Sequence, residues 1–339
     1  MERAMKVALV YVGLVIFFCF NAILSLANDE PISPIRAPKL IDLSMVELGK
    51  KLFYDRRLSL FGHLSCNSCH NISLGGVDNQ QYSVGHHWQQ GSINTPTVLN
   101  ASLNFSQYWN GRVATLQEQA RDSLENAAVK TSPHFIVVDL IETIPGYVTE
   151  FSQVFASDTI TIDDVAAAIA EFEKTLVTPN ARFDKWLLGD ESAISPYELS
   201  GYTIFKSVGC AGCHNGPGVG GQNFQKLGLA EPYKTNHPAR GRAEVSGKAE
   251  DENVFKVPLL RNIELTYPYF HDGAVNSLEE AVNIMARVQL GVKLGVDETE
   301  RIVAFLKTLT GKQPSFPLPQ LHSSGVDTPR PQPFNDASY

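Results

Sequence analysis

A five-residue motif occurs twice in the chain, as CNSCH at residues 66–70 and as CAGCH at residues 210–214. In each copy two cysteines lie about one helical turn apart, and a histidine follows the second cysteine directly. Two thiols at this spacing can add to the two vinyl groups of one haem, whose iron the histidine then ligates. Although a single copy is also compatible with a zinc pair or a thiol–disulfide site, the duplication predicts two covalent c-type haems. The attachment residues are Cys66, Cys69 and His70 for one haem and Cys210, Cys213 and His214 for the other.

The N-terminal segment predicts export. A basic head, MERAMK, precedes an apolar run that ends with the small residues Ser25 and Ala27. This order is typical of a secretory signal peptide with cleavage after Ala27, and it predicts a periplasmic protein. An uncleaved membrane anchor is the alternative. Because Cys19 leaves with the signal, the remaining four cysteines all belong to the two motifs.

The composition limits the class of protein. The chain has 339 residues, of which 43% are hydrophobic and 19% charged, as expected for a globular protein of about two domains. The formal net charge of −8 leaves no basic surface of the kind that binds nucleic acid, so we exclude that class of partner.

A longer repeat surrounds the motifs. Residues 95–120 (TPTVLNASLNFSQYWNGRVATLQEQA) align without gaps with residues 257–282 (VPLLRNIELTYPYFHDGAVNSLEEAV) at an offset of 162. In both copies a hydroxyl residue, Thr115 or Ser277, is followed three positions later by glutamate, which predicts a capping box at the start of a helix. The matched positions include Pro96 with Pro258, Asn100 with Asn262, Gly111 with Gly273, and Leu116 with Leu278.

These patterns predict a mostly α fold of two tandem cytochrome c-like domains, each with one covalent c-type haem. Between the copies, an apolar face that runs from Val165 to Leu176 at helical spacing predicts a long helix stopped by Pro179. The predicted units are a signal peptide (1–27), an N-terminal haem domain (28–178), a linker (179–195), a C-terminal haem domain (196–325) and a tail (326–339).

The repeat also indicates that the two haems differ. Met285 shares a predicted helix face with Leu278, Ala281 and Val282, so its thioether is expected to point towards a haem. A thioether opposite histidine raises the reduction potential of a haem, although a methionine that fills the core is the alternative. The matching position in the first copy is Ser123, which cannot serve as this ligand. The first haem therefore takes another ligand or stays open. The nearby candidates are His86 and His87, which share a Gly-flanked loop and are not distinguished by their pattern, and His63, which we interpret as a surface or packing residue.

Six segments together resemble the bacterial di-haem cytochrome c peroxidases, in order from about residue 32 to residue 330. They are CNSCHNISLGGVDNQQYSVGHHWQQG, NTPTVLNA, QYWNGR, TPNARFD, GCAGCHNG and LTYPYFHDGAV. The resemblance implies hydrogen peroxide reduction with electrons from a small cytochrome c or copper protein, and a homodimer. The related di-haem oxidase that matures a tryptophan-derived quinone has tyrosine where Met285 stands, so the peroxidase branch is favoured.

The resemblance also implies residue roles. His70 would ligate a peroxidatic, low-potential N-terminal haem, with His86 as its displaceable distal ligand. His214 and Met285 would hold a high-potential C-terminal haem that accepts electrons. Trp109 would lie between the haems. A calcium ion would take the side chain of Asn94 and the carbonyls of Thr266 and Pro268, an oxygen set that suits calcium.

One segment departs from the family pattern. Family members usually place an acid–base glutamate after the segment that contains Gln119, but here that position falls on Val129. Asp122 and Ser123 replace a usual Gly-Pro, and Glu125 is the nearest carboxylate to Val129 on its N-terminal side. Since valine cannot carry a proton, a di-haem electron-transfer or redox-sensing protein with weak or no peroxidase activity is the alternative function.

Overall fold

The computed structural model describes residues 30–36, 41–125 and 134–330 and is mostly helical, which confirms the predicted fold class. Two short strands, β1 (Phe224–Lys226) and β2 (Val254–Lys256), pair antiparallel. The α-helices are α1 (Leu43–Tyr54), α2 (Cys66–Cys69), α3 (Leu116–Glu125), α4 (His134–Glu142), α5 (Pro145–Phe155), α6 (Ile162–Lys174), α7 (Arg182–Leu187), α8 (Pro196–Ser207), α9 (Ala243–Ser246), α10 (Leu278–Leu290) and α11 (Val296–Lys307). The predicted signal peptide, Val129 and the last residues of the predicted tail lie outside the described residues. Within the described ranges no helix is long and apolar enough to cross a membrane.

Buried apolar side chains form two cores. The first core runs along the chain from Val46 to Leu176 and is built mainly by α1, α4, α5 and α6. The second runs from Phe183 to Leu309, mainly on α7, α8, α10 and α11, and also takes in Ile32. The change from one core to the other falls close to the predicted start of the linker, and the exact domain boundaries stay a prediction.

Helix α6 follows from its local sequence, except at its end. The Asp164 carboxylate accepts a hydrogen bond from Thr161 N at 3.0 Å, and Thr161 Oγ1 accepts one from Asp164 N at 3.2 Å, so a capping box starts the helix. The helix ends at Lys174, so Pro179 lies beyond it and does not stop it. The predicted apolar face is buried at Val165, Ile169, Phe172 and Leu176.

One glycine in each core lets two helices approach closely. A Cβ on Gly49 of α1 would lie 1.8 Å from the carbonyl oxygen of Ala168 in α6. A Cβ on Gly201 of α8 would lie 1.9 Å from the carbonyl oxygen of Arg301 in α11. Since no side chain fits at these distances, the helix before each CXXCH motif crosses a later helix of its own core backbone to backbone.

The sequence repeat is also a structural repeat. Asn100 and Asn262 both have φ of 61°, and each is followed by one 3₁₀ turn. The two asparagine side chains meet at one residue, because Thr178 Oγ1 accepts a hydrogen bond from Asn100 Nδ2 at 2.8 Å and from Asn262 Nδ2 at 3.0 Å. Thr178 is fully buried, so this shared contact joins the two repeats inside the protein.

The two predicted capping boxes differ. In the first copy both halves form, since Glu118 N donates to Thr115 Oγ1 and Thr115 N donates to the Glu118 carboxylate, each at 3.1 Å. In the second copy Ser277 Oγ accepts from Glu280 N at 3.2 Å, but its hydroxyl donates to Glu279. No reciprocal hydrogen bond from Ser277 N to the Glu280 carboxylate is present there, so the second box is half formed.

The C-terminal segment returns to the first core. The Phe316 ring packs edge-on against Tyr54 and Phe172. Further along, His322 Nε2 lies 2.6 Å from the Glu150 carboxylate, and Arg57 donates to the His322 carbonyl at 2.9 Å. The segment therefore wraps over the N-terminal helices, although the predicted boundary assigns residues up to 325 to the C-terminal domain.

Candidate haem-binding sites

The second CXXCH motif opens onto a cavity. Helix α8 leads into a 3₁₀ turn over Cys210–Gly212, and Gly209 before the turn has φ of 102°, a conformation that glycine adopts readily. Cys210, Cys213, His214 and Met285 all line this cavity. Most of the remaining wall is apolar; α10 and α11 contribute one side, and residues 255–271 contribute another.

His214 is held in the form that binds a metal. Its Nδ1–H donates to the Val219 carbonyl at 3.3 Å, which leaves Nε2 as the ring nitrogen with a lone pair. Burial lowers the pKa of His214 to about 4, so the ring is neutral at pH 7. Gly220 makes room for this arrangement, since a Cβ there would lie 3.3 Å from His214 Nδ1 and 2.2 Å from the Pro258 carbonyl oxygen.

Met285 reaches the same cavity from α10. The predicted helix face is present, because Leu278, Ala281 and Val282 line the cavity beside it. Leu278 and Ala281 are buried, while Met285 keeps part of its surface open to the cavity. Two thiols, a neutral imidazole, a thioether and apolar walls form a donor set that fits a c-type haem.

The first motif has the same local order. Helix α2 carries Cys66 and Cys69, and Ser65 N donates to Ser68 Oγ at 3.0 Å across its first turn. His70 follows the helix directly, and its backbone N–H donates to the Cys66 carbonyl at 2.9 Å. Both thiols and the imidazole thus belong to one turn of chain, as haem attachment requires.

His86 is the buried histidine of the following loop. It is 2% exposed, and its ring lies edge-on against Phe61 at 4.7 Å and against His63 at 4.8 Å between centroids. His87 is exposed, with φ of 50°. Of the two candidates that the pattern left open, His86 is inside and His87 faces solvent, while His63 packs against His86.

The loop around His86 is closed by its own backbone. Gly85 N donates to the Gln89 carbonyl at 2.7 Å, and Gly91 N donates to the Ser83 carbonyl at 2.8 Å. Trp88 at its tip is 87% exposed and has φ of 62°. The tip is therefore a compact, strained turn, because left-handed backbone is unfavourable for residues other than glycine.

Trp109 connects the two halves of the chain. It lines the cavity of the second motif, and its indole N–H donates to the Asn94 carbonyl at 2.8 Å. Its own carbonyl accepts from Lys256 N at 2.8 Å. The indole ring also lies edge-on to His271, its partner in the repeat, which is buried and stacks on Phe255.

The three residues predicted to hold calcium line one cavity. Asn94, Thr266 and Pro268 all contribute to the cavity beside the second motif. Asn94 is buried, and its Nδ2 donates to the carbonyls of Gln80 and Gln81 at 3.1 and 3.3 Å. Across the described residues no group of three or more His, Cys, Asp or Glu side chains forms a metal site, so an ion here would depend on amide and carbonyl oxygens.

Gln119 belongs to a polar network that sequence reasoning missed. Its Nε2 donates to Ser123 Oγ at 2.6 Å, and the Tyr108 hydroxyl donates to the Asp122 carboxylate at 2.7 Å. Arg112 pairs with Asp122 at 2.7 Å and covers the Tyr108 ring. Burial raises the pKa of Tyr108, so its hydroxyl keeps its proton. Asp122 and Ser123, which replace the usual Gly-Pro, thus both form hydrogen bonds within this network.

A buried arginine, Arg261, lies beside the loop that follows the second motif. Its guanidinium is fully buried and lies 2.6 Å from the Asp184 carboxylate. It also donates to the carbonyls of Pro217 and Ser33 at 2.8 and 3.0 Å. The arginine therefore ties the N-terminal segment and α7 to the loop after the second motif.

Two helical cores that each present a CXXCH motif define a di-haem c-type protein. The family profile described as di-haem cytochrome c peroxidase matches residues 44–192. Over 333 residues the chain is 52% identical to cytochrome c551 peroxidase of Nitrosomonas europaea, with 98% of this chain and 99% of that protein covered. Cytochrome c551 peroxidase of Pseudomonas aeruginosa is 45% identical over 290 residues, with 84% of each chain covered.

The chain therefore belongs to the di-haem cytochrome c peroxidase family, which implies two haem cofactors. A solved MauG-like protein associated with microbial copper homeostasis superimposes with a TM-score of 0.72 at 26% identity, and the match covers 84% of this chain and 94% of that one. The fold is thus the one found in this group of proteins.

Proposed function

We propose that the chain is a cytochrome c peroxidase that reduces hydrogen peroxide to water with electrons from a small cytochrome c or copper protein. The observation that carries the proposal is the difference between the two sites, since Met285 lines the second cavity while its counterpart Ser123 is bonded to Gln119. Each haem iron, once bound, stores one electron, and one peroxide consumes two electrons and two protons.

The C-terminal site is suited to a closed, high-potential haem. Cys210 and Cys213 would hold the porphyrin, His214 would present neutral Nε2, and Met285 would supply the sixth ligand. The cavity wall is largely apolar, and low polarity together with a thioether favours the reduced state.

The N-terminal site is suited to a haem that can open. Cys66, Cys69 and His70 would attach it, and His86 would be its sixth ligand in the resting protein. The loop tip contains two consecutive residues with positive φ, His87 and Trp88, each of which costs about 1–3 kcal/mol. Rearrangement of this loop would release that strain, which favours departure of His86.

Proton delivery is the step in which the chain departs from its family. Gln119 Nε2 is already bonded to Ser123, so its amide serves to orient groups rather than to carry a proton. Val129 cannot exchange a proton, and Glu125 is the carboxylate that could take over. Weak peroxidase activity, with a main role in electron transfer or redox sensing, is the second candidate function because of this substitution.

Export, a bound calcium ion and a dimeric assembly also belong to the proposed function. Export to the periplasm with cleavage after Ala27 would deliver the chain to the compartment in which c-type haems are attached. One calcium ion, bound by the Asn94 side chain and the carbonyls of Thr266 and Pro268, would link the two halves of the chain. The functional unit would be a homodimer, by analogy with the family.

Steady-state peroxide consumption with a reduced cytochrome donor tests the function. We expect turnover below that of glutamate-bearing relatives, and we expect Val129→Glu to raise it, since a positioned acid–base group contributes about 10²–10⁴ in rate. Haem content and potentials should not change in this variant. Fast wild-type turnover that survives Glu125→Gln would show that the proton is carried elsewhere, and no turnover in either protein would favour the electron-transfer role.

A further inference from the structure

A buried lysine faces the cavity of the second motif. Lys256 on β2 is 7% exposed and lines the cavity that His214 and Met285 also line. Its ammonium donates to Asn104 Oδ1 at 3.0 Å. No carboxylate of the described residues forms an ion pair with it, and burial alone lowers its pKa to about 8. The side chain therefore remains mostly protonated at pH 7.

The cavity wall holds no anion that could compensate this charge. Among the described residues that line it, Lys226 and Lys256 carry formal charges, and there is no aspartate or glutamate. The nearby Asp184 carboxylate does not line the cavity and is already paired with Arg261. Burial lowers the pKa of His271 to about 4, so that ring is neutral and adds no charge to the wall. A buried ammonium with one amide partner is costly, which indicates that its counter-ion arrives with a ligand.

The backbone fixes the position of Lys256. Its N–H donates to the Trp109 carbonyl at 2.8 Å, and Phe224 is its partner in the ladder of β1 and β2. On the other side Gly221, with φ of 78°, brings the chain so close that a Cβ would lie 2.6 Å from Asn104 Oδ1. Since both the lysine and its amide partner are held in this way, the ammonium has little freedom to turn towards solvent.

We propose that Lys256 forms an ion pair with a propionate carboxylate of the haem attached at Cys210 and Cys213, and that this pair helps to raise the potential of that haem. The inference rests on the proposed haem at this motif. A propionate is the anionic group that a haem carries, and the cavity otherwise offers it one exposed lysine, Lys226, whose charge water screens. An ammonium held near the macrocycle favours the state with one more electron.

Potentiometric titration of holoprotein variants tests the pair. Lys256→Met and Lys256→Gln should lower the midpoint potential of the high-potential haem by about 59 mV, which corresponds to a tenfold change in the one-electron equilibrium constant. Lys256→Arg keeps the positive charge and should retain most of the wild-type midpoint potential. Lys226→Met removes an exposed lysine from the same cavity and is the matched control, expected to leave the potential close to wild type.

The outcomes separate this inference from the proposed function. A neutral variant at position 256 that loads both haems and keeps the wild-type potential would overturn the inference and leave the function standing. Loss of the second haem in both neutral variants, with normal loading in Lys256→Arg and Lys226→Met, would support the ion pair. A wild-type protein whose intact mass lacks a second haem would overturn the proposed function, and the inference with it.

Discussion

At the scale of single residues, positions 123 and 285 occupy the same place in the repeat but differ in chemistry. Ser123 accepts a hydrogen bond from Gln119 and lies 3.0 Å from the Tyr108 hydroxyl, whereas Met285 borders the cavity of the second motif. A hydroxyl satisfied by neighbours is not available to an iron, while a thioether on an apolar wall is. This one difference makes the two sites unequal, although their attachment motifs match.

Replacing Met285 should show whether it sets the high potential. Met285→Ala and Met285→His are both expected to lower the midpoint potential of the C-terminal haem, because each removes the thioether that favours the reduced state. Potentiometric titration measures the change. Met45→Ala is the control, since Met45 packs against the first core and should leave both potentials unaltered. A high-potential step that persists in both Met285 variants would rule out ligation.

Replacing His86 should change the spin state of the N-terminal haem. We expect His86→Ala to turn this haem from low-spin to high-spin in the oxidised protein, because the sixth ligand is lost. The exposed neighbour gives the control, and His87→Ala should remain low-spin. Electron paramagnetic resonance distinguishes the two states, and an unaltered low-spin signal in His86→Ala would assign the ligand to a different residue.

At the scale of elements, the same helix crossing supports both motifs. The helix before the first motif, α1, crosses α6, and the helix before the second motif, α8, crosses α11. Each crossing depends on a glycine, Gly49 in the first and Gly201 in the second. Helix α1 ends at Tyr54, before Cys66, and α8 ends at Ser207, before Cys210, so each crossing lies on the segment that leads into the thiols.

A methyl group at this crossing should therefore weaken the fold. Gly201→Ala places a Cβ 1.9 Å from the Arg301 carbonyl oxygen, so the helices must separate. We expect the free energy of unfolding to fall by about 1–3 kcal/mol, as for overpacked cores. Urea unfolding measures this, with Gly295→Ala as the control, since a Cβ there meets one flexible side-chain atom at 3.4 Å. Equal stability of the two variants would contradict the close crossing.

At the scale of the whole molecule, contacts between the repeats join the two cores. Thr178 receives a hydrogen bond from one asparagine of each repeat, and the segment that contains Phe316 and His322 packs on the first core after leaving the second. These contacts favour unfolding of the two halves together rather than one after the other.

Thr178→Val tests this coupling. Valine keeps the shape but removes the acceptor for Asn100 and Asn262, so two buried amide groups lose a partner, at about 1–3 kcal/mol each. Thermal unfolding followed by calorimetry should show a lower transition that broadens or splits. The exposed Thr203→Val on α8 is the control and should unfold as wild type. A single unshifted transition in Thr178→Val would mean that the shared contact carries no coupling.

Features that depend on residues close together in the chain could be predicted from the sequence. These features are the CXXCH spacing, the apolar faces of α6 and α10, the repeat of residues 95–120 in residues 257–282, and the contrast between Ser123 and Met285. Such features are local because helical periodicity and thiol spacing are properties of one turn of chain.

Contacts between residues that are distant in the chain became known only from the folded protein. Arg261 is buried against Asp184, and Lys256 is buried at the wall of the cavity of the second motif. Thr178 lies 78 and 84 residues from the asparagines that it joins. A buried charge or hydroxyl takes the partner that packing brings to it, and no local pattern encodes that choice.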